Sequence, residues 1–341
     1  MSWRSAFLVL LFLPFAARGI DLCLPTANDA LLHPGHDAEF FQPTIEGDTE
    51  SGMFGCVRNH GSKFHEGVDI KCLQRDRRGE PIDPVHAVAD GEIAFVNRKP
   101  GLSNYGRYIV LRHRWDSVQV FTLYAHLREV VAGVVAGQPV RKGQVIAILG
   151  HSTNTREAIS RDRAHLHFEI NFMFNPNFHL WYPRREPKAP PFGDFNGLNL
   201  WGMDPSAFLR DYAANPKLNF AAYVAGQPIA FTVLVNAKPF PWLAMHPEQI
   251  QPSSAAARES AIAYEIGSTW FGLPVAIWPR SGSEISEMEK RTLQRGVAVV
   301  HRVDEAALDR YPCRDLVKRR SRGWEFTTEG QEWAELLLYA P

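Results

Sequence analysis

The 341-residue chain has no surplus of charge: 37 Lys and Arg offset 37 Asp and Glu. A chain without net charge sets up no broad field for nucleic acid or an acidic membrane surface, so neither is expected as a partner. Nucleophile signatures are missing as well. There is no Gly-x-Ser-x-Gly elbow, no His-Glu-x-x-His helix and no Gly-rich phosphate cradle, which removes three large enzyme classes. Internal repeats and low-complexity tracts are absent. Beyond the first residues, no apolar stretch is long enough to cross a bilayer, which takes about 20 residues.

The one long apolar run is at the start. Met1 to Arg4 carries a positive charge, Ala6 to Ala16 is apolar except for the break at Pro14, and Ala17-Arg18-Gly19 supplies small residues for cleavage. This is the pattern of a secretory signal peptide, residues 1–19, cut after Gly19. An uncleaved N-terminal anchor is the other reading. Cleavage leaves a chain with no integral span, expected to be secreted or periplasmic. Cysteine is scarce: Cys23, Cys56, Cys72 and Cys313 are the four present. Export permits disulfides, and four thiols allow three pairings. Cys56–Cys72 is preferred because it brackets the histidine phrase described below, leaving Cys23–Cys313 to tie the chain ends. Cys72 as a metal ligand is the competing reading.

Length bounds the chain at about two domains. Residues 20–50 read as irregular. Residues 51–171 alternate short strands with Gly turns such as Asp90-Gly91, Pro100-Gly101, Ala136-Gly137 and Lys142-Gly143. Strands are expected at 53–57, 66–71, 85–89, 91–97, 106–113, 118–125, 144–149 and 165–171. Residues 172–203 read as a long aromatic connection, a form that often serves function. Its Phe172, Phe174, Phe178, Trp181, Tyr182, Phe192, Phe195 and Trp201 either pack it onto the sheet, the preferred reading, or wall a substrate groove. Residues 211–341 form a mixed α/β region with no motif that carries chemistry. Helices are expected at 254–266, 283–294, 304–311 and 327–339, and strands at 272–278 and 297–303. The fold class is therefore mainly β, an antiparallel sheet or sandwich over 51–210, followed by the α/β region.

Two phrases remain: Phe64-His65-Glu66-Gly67-Val68-Asp69 and His165-Leu166-His167-Phe168-Glu169. Alternation along a strand puts His65, Gly67 and Asp69 on one face, and His165 and His167 on one face. His65, Asp69 and His167 supply two imidazoles and a carboxylate, the three-ligand set of a catalytic zinc site with one place open; iron and manganese are compatible by donor type. Gly67, without a Cβ, would leave room for the ion or a scissile carbonyl. His165 and His126, the latter in Leu123-Tyr124-Ala125-His126-Leu127, are candidates for proton transfer or oxyanion stabilisation. Glu169 is open between orienting a ligand and a surface ion pair. His60, His86, His113, His151 and His179 are read as packed or surface residues.

These phrases, with Ser51-Gly52-Met53-Phe54-Gly55, Ala87-Val88-Ala89-Asp90-Gly91, Gly106-Arg107-Tyr108-Ile109-Val110-Leu111, Val140-Arg141-Lys142-Gly143-Gln144-Val145 and Gly150, resemble the LytM/lysostaphin-type zinc metallopeptidases. The likeness covers 51–171 and 204–209, where Asp204-Pro205 and Phe208-Leu209 stand. It implies zinc (Zn2+) on His65, Asp69 and His167, with His126 and His165 as the catalytic pair. It further implies cleavage of peptide bonds in peptidoglycan. The longer 151–163 and 172–203 connections depart from the family pattern. Alternatives are a non-catalytic wall-binding or amidase-activating module, and a peptidase acting on secreted proteins.

Overall fold

The computed structural model describes residues 20–156, 158–188, 193–252, 259–321 and 323–341. The signal-peptide segment lies outside them, as do Phe192 and the start of the helix expected at 254–266.

The strand-rich half is β1 (Gly55–Arg58), β2 (Lys63–His65), β3 (Val68–Lys71), β4 (Pro84–His86), β5 (Gly91–Asn97), β6 (Tyr108–Trp115), β7 (Val118–Ala125), β8 (Glu129–Val130), β9 (Pro139–Val140), β10 (Val145–Ile148), β11 (His165–Met173) and β12 (Leu200–Met203). The main sheet runs β12-β11-β7-β6-β5-β9, with β3 also on β11, and all pairs are antiparallel. The fold is thus mainly β and antiparallel.

The nine residues of β11 are all buried. One face carries Leu166, Phe168, Ile170 and Phe172 into the apolar core. The other carries His165, His167, Glu169 and Asn171, also buried. A strand with both faces covered can hold this many polar groups only if each finds a partner. β3 flanks its first half in register, with His167 opposite Asp69, and β7 flanks its other edge, with His167 opposite Ala125.

Two expectations change here. The 66–71 strand starts at Val68, because Glu66-Gly67 bend between β2 and β3, which lie in different sheets. A Cβ on Gly67 would lie 2.4 Å from the Phe168 carbonyl oxygen and 2.8 Å from Glu169 Cγ. Gly67 therefore serves the close approach of this bend to β11, not space for an ion. The 172–203 segment is also more ordered than expected: β11 continues to Met173, a helix spans Phe178–Arg185, and β12 returns alongside β11. Phe172, Phe174 and Phe178 are core residues, whereas Trp181, Tyr182 and Trp201 are half-buried against it.

The C-terminal part builds a second sheet, β15-β14-β13-β16, from β13 (Phe231–Asn236), β14 (Ala261–Ser268), β15 (Pro274–Ser281) and β16 (Val299–Val303). A hairpin of β17 (Val317–Arg320) and β18 (Gly323–Phe326) precedes the last helix, Thr328–Leu338. The helix expected to reach Ile266 is overturned: from Ala261 the chain is the strand β14. Alternation of buried Ala263, Glu265 and Gly267 with half-buried Tyr264 set the wrong period beside an Ala-rich run. Helices at Glu287–Gln294, Glu305–Asp309 and Thr328–Leu338 follow expectation. Ser286 and Glu289 form a capping box, and Thr327 caps the last helix through Gly330 N.

One core joins the two parts. Phe174 packs on Trp242 and Trp333 with ring centroids 5.5 and 5.9 Å apart. Asn175 Nδ2 donates to the carbonyls of Leu336 and Tyr339 at 2.6 and 2.8 Å, closing the C-terminus of the last helix. A disulfide joins Cys56 on β1 to Cys313. The preferred Cys56–Cys72 pairing is therefore incorrect, and so is Cys23–Cys313. Cys23 and Cys72 are free thiols, and the Cys72 thiol donates to Asp83 Oδ2 at 3.0 Å, away from the histidines. The sequence spacing favoured a short loop, but β1 faces the C-terminal part, where Phe54 meets Phe271 and Phe64 meets Trp270.

Candidate metal centre

Three short elements place the donors. His65 ends β2, Asp69 is the second residue of β3, and His167 is the third of β11. All three are buried, and a ligand atom from each lies within 4.8 Å of the others. His65 Nε2 is 3.1 Å from His167 Nδ1 and 3.2 Å from Asp69 Oδ1, and His167 Nδ1 is 3.0 Å from Asp69 Oδ1.

The outer hydrogen bonds decide which atoms face inward. His65 Nδ1 lies 2.6 Å from the Met53 carbonyl, which can only accept, so Nδ1 carries the proton and Nε2 presents a lone pair. On the far side of His167, Nε2 lies 2.7 Å from Glu169 Oε1. Glu169 is fully buried and also accepts from Asn171 Nδ2 at 2.6 Å. It is thus an orienting carboxylate, and the surface ion pair is excluded. This carboxylate–histidine pairing recurs behind metal ligands because it fixes the ring and raises its basicity.

The charges match a cation. Burial alone would raise the Asp69 carboxyl, but His165, Arg58 and His65 hold it well below the usual range. Burial would lower His167, yet hydrogen bonds to Asp69 and Glu169 push it up to about 10. His65 is lowered, chiefly by burial. Arg58, on β1, reaches the same point: its Nη2 donates to Asp69 Oδ2 at 2.5 Å and to His65 Nε2 at 2.8 Å. A positive group is therefore already accommodated by two of the three donors. One inward lone pair on His65, an ionised carboxylate, and a His167 Nδ1 whose proton a metal would displace fit a divalent cation such as zinc.

His126 and His165 stand beside this trio. Their rings are 4.9 Å apart, and His126 is 5.7 Å from the His167 ring. His165 Nε2 lies 3.4 Å from Asp69 Oδ2. Each commits Nδ1 to a carbonyl, Ser152 for His126 at 2.9 Å and Arg163 for His165 at 2.7 Å. Burial lowers both, and for His126 the neighbouring His165 and His167 lower it further. His126 also adopts φ 60°, a left-handed conformation costly for a side-chain-bearing residue and found at sites that need a fixed geometry. A groove of about 310 Å³ opens over all five residues and is walled by Thr44, Ile45, Tyr105 and Thr153.

The remaining histidines keep away from this centre. His113 is buried between Asp90 O and Thr122 Oγ1, His151 pairs with Glu80, and His179 with Asp194. Arg58 and Tyr105 went unnoticed in the sequence. An isolated Arg two residues past a cysteine carries no periodic signal, and Tyr105 lies in a Gly-Leu-Ser-Asn turn. The Tyr105 ring is 5.6 Å from His167, and burial followed by Glu169 raises its hydroxyl well above the usual range, so it stays a neutral donor.

Residues 63–177 match Peptidase family M23. Of curated proteins, DD-carboxypeptidase/endopeptidase Mpg of Neisseria meningitidis is 34% identical over 117 residues, 34% of this chain and 22% of that protein. An uncharacterized metalloprotease of Haemophilus influenzae is 36% identical over 107 residues, 31% of this chain and 18% of that protein. The chain thus spans about a fifth of the length of the curated relatives it matches. A zinc containing peptidase from Vibrio cholerae is 28% identical, with 39% of this chain and 36% of that chain covered and a TM-score of 0.26. The likeness to Peptidase family M23 is carried by residues 63–177, the segment that holds His65, Asp69, His126, His165 and His167.

Proposed function

We propose that the protein is a zinc metalloendopeptidase that hydrolyses peptide bonds in bacterial cell-wall peptidoglycan. The observation that carries this reading is the convergence of His65, Asp69 and His167 at one point beneath an open groove. The names of the relatives support it: one is a DD-carboxypeptidase/endopeptidase and another a metalloprotease. We place the protein outside the cytoplasm, in keeping with the leader-like first 19 residues and the Cys56–Cys313 disulfide. No helix among the described residues is long and apolar enough to cross a membrane.

Bound zinc would be held by His65 Nε2, Asp69 and His167 Nδ1, and it supplies the Lewis acidity that makes water nucleophilic near neutral pH. The protein's own groups do the rest. Glu169 keeps the His167 ring aligned through Nε2. His126 is neutral and has Nε2 free of the Ser152 carbonyl, so it takes the proton of the attacking water and returns it to the leaving amine. His165, neutral and with Nδ1 donating to Arg163 O, turns its Nε2 acceptor toward Asp69 and the site and helps orient the attacking water. The Tyr105 hydroxyl steadies Glu169 from the groove wall.

Purified protein should contain about one zinc per chain, the stoichiometry of one three-ligand site. Asp69→Ala or His167→Ala should abolish release of muropeptides from sacculi while circular dichroism stays native. Full activity in either variant would overturn the reading. Digestion of casein with sacculi untouched would favour a peptidase of secreted proteins.

A further inference from the structure

A second groove, larger than the one over the histidines, lies elsewhere among the described residues. It measures about 760 Å³ and lies in the C-terminal part, between β16, β18 and the last helix. Half-buried Trp181, Trp324, Phe326 and Tyr339 line it, with Gln331 and Glu335 at its rim. The Tyr339 hydroxyl is buried in this wall with no hydrogen-bond partner.

Between this groove and the centre lies a third cleft of about 360 Å³. Glu66, beside the ligand His65, lines both the site groove and the middle cleft, and Trp181 lines both the middle cleft and the distal groove. Arg314, next to the disulfide, forms the middle wall, with its guanidinium 4.5 Å from the Trp201 ring and ion-paired to Glu329 at 3.1 Å. The three clefts thus follow one another as a path with shared walls, and each has aromatic residues in its lining.

We propose that this path binds the amino-sugar strand of the cell wall, with the distal groove seating sugar rings while the attached peptide enters the metal centre. The inference rests on the proposed peptidoglycan substrate. Flat aromatic faces edged by amide, carboxylate and hydroxyl groups suit a neutral polyol, whose C–H faces stack and whose hydroxyls need both donors and acceptors. Charge argues the same way. Among the described residues no Lys, Arg or His lines the distal groove, and Glu325 and Glu335 do. Nearby Arg185 is spent on Glu332 and Glu335, each at 2.6 Å. Arg184, stacked 5.6 Å over the Tyr339 ring, is the cation beside the groove, and Glu325 and Glu335 balance it, which leaves a lining suited to a neutral ligand.

The test uses the full chain, peptide-free glycan strands and the N-acetylglucosamine hexamer, read by tryptophan fluorescence and co-sedimentation. Wild type should bind both saturably. Trp324→Ala and Gln331→Ala should each weaken binding by about five- to tenfold, a typical loss for one aromatic or polar contact. Both should cleave a sugar-free cross-linked peptide at the wild-type rate. Gln331 is exposed, so its variant tests the groove even where Trp324→Ala misfolds. Absence of saturable glycan binding by wild type, or equal binding by folded variants, overturns the inference, as does occupation of the groove by an extended peptide instead. Wall hydrolysis without glycan binding removes this inference alone, whereas glycan binding without hydrolysis removes only the enzymatic reading.

Discussion

The two sheets bury carboxylates to different ends. In the C-terminal sheet, Glu265 on β14 is 1% exposed and is met by Arg280, whose Nε and Nη2 both lie 2.6 Å from Oε2, with Arg302 at 3.7 Å from Oε1. That is a closed pair. In the β-rich half, Asp69 is 2% exposed and is surrounded by three imidazoles, two of which aim a ring nitrogen at one point. Both acids bear the cost of leaving water. In the second arrangement one guanidinium nitrogen, Arg58 Nη2, is shared between Asp69 and His65, where a cation could replace it. A buried acid does not make a site; convergent acceptors whose outer atoms are already committed do.

The comparison can be broken at several points. Glu265→Gln should cost about 3 kcal/mol of stability, because it removes the buried partner of Arg280 and leaves it only the more exposed Glu284. Urea denaturation reads the loss, and zinc content should be unchanged; loss of zinc would show that the two sheets are not separate in function. Cys313→Ser should cost about 2–4 kcal/mol by freeing the link between β1 and the C-terminal part. An unchanged midpoint under non-reducing conditions would mean that the shared core alone joins them. Glu169→Gln keeps the shape but removes the charge behind His167, and should weaken zinc about 10- to 100-fold against a chelator. Equal affinity would reduce Glu169 to a packing residue.

The smallest effect concerns pH. His113 is pushed down to about 4, first by burial, against the raising influence of Asp90. Its ordinary value in the unfolded chain is near ~6.5. The unfolded state therefore binds the extra proton first as pH falls, so stability should be full above ~6.5 and decline down to ~4, by about 1–3 kcal/mol in all. Thermal melts of wild type and His113→Gln at pH 7 and pH 5 measure it. A wild-type midpoint that moves no more than the variant's would remove His113 from the account.

Much of the centre was legible because β11 obeys a period of two. His165, His167 and Glu169 on one face, and Leu166 and Phe168 on the other, follow directly from alternation. The lone Asp69 was legible through its spacing from His65, although Glu66-Gly67 form a bend and Gly67 answers to the Phe168 carbonyl. What stayed hidden depends on long-range contact. Arg58 reaches the centre across the β1–β2 hairpin, and Cys56 finds a partner 257 residues away. β13 is a central strand buried on both faces, so it offers no alternation to read. The 172–203 segment looked structureless because Pro and Asn interrupt it, yet its aromatics and Asn175 fasten it to the last helix.

The central claim is that His65, Asp69 and His167 bind one divalent ion together. Crystals of the purified full chain, with data collected on both sides of the zinc edge, test it most directly. The account predicts a single anomalous peak at about 2.0–2.2 Å from His65 Nε2, His167 Nδ1 and an Asp69 oxygen, with Arg58 withdrawn from that point. Zinc-soaked crystals with no peak among these three atoms, and with Arg58 still seated on Asp69, would contradict it.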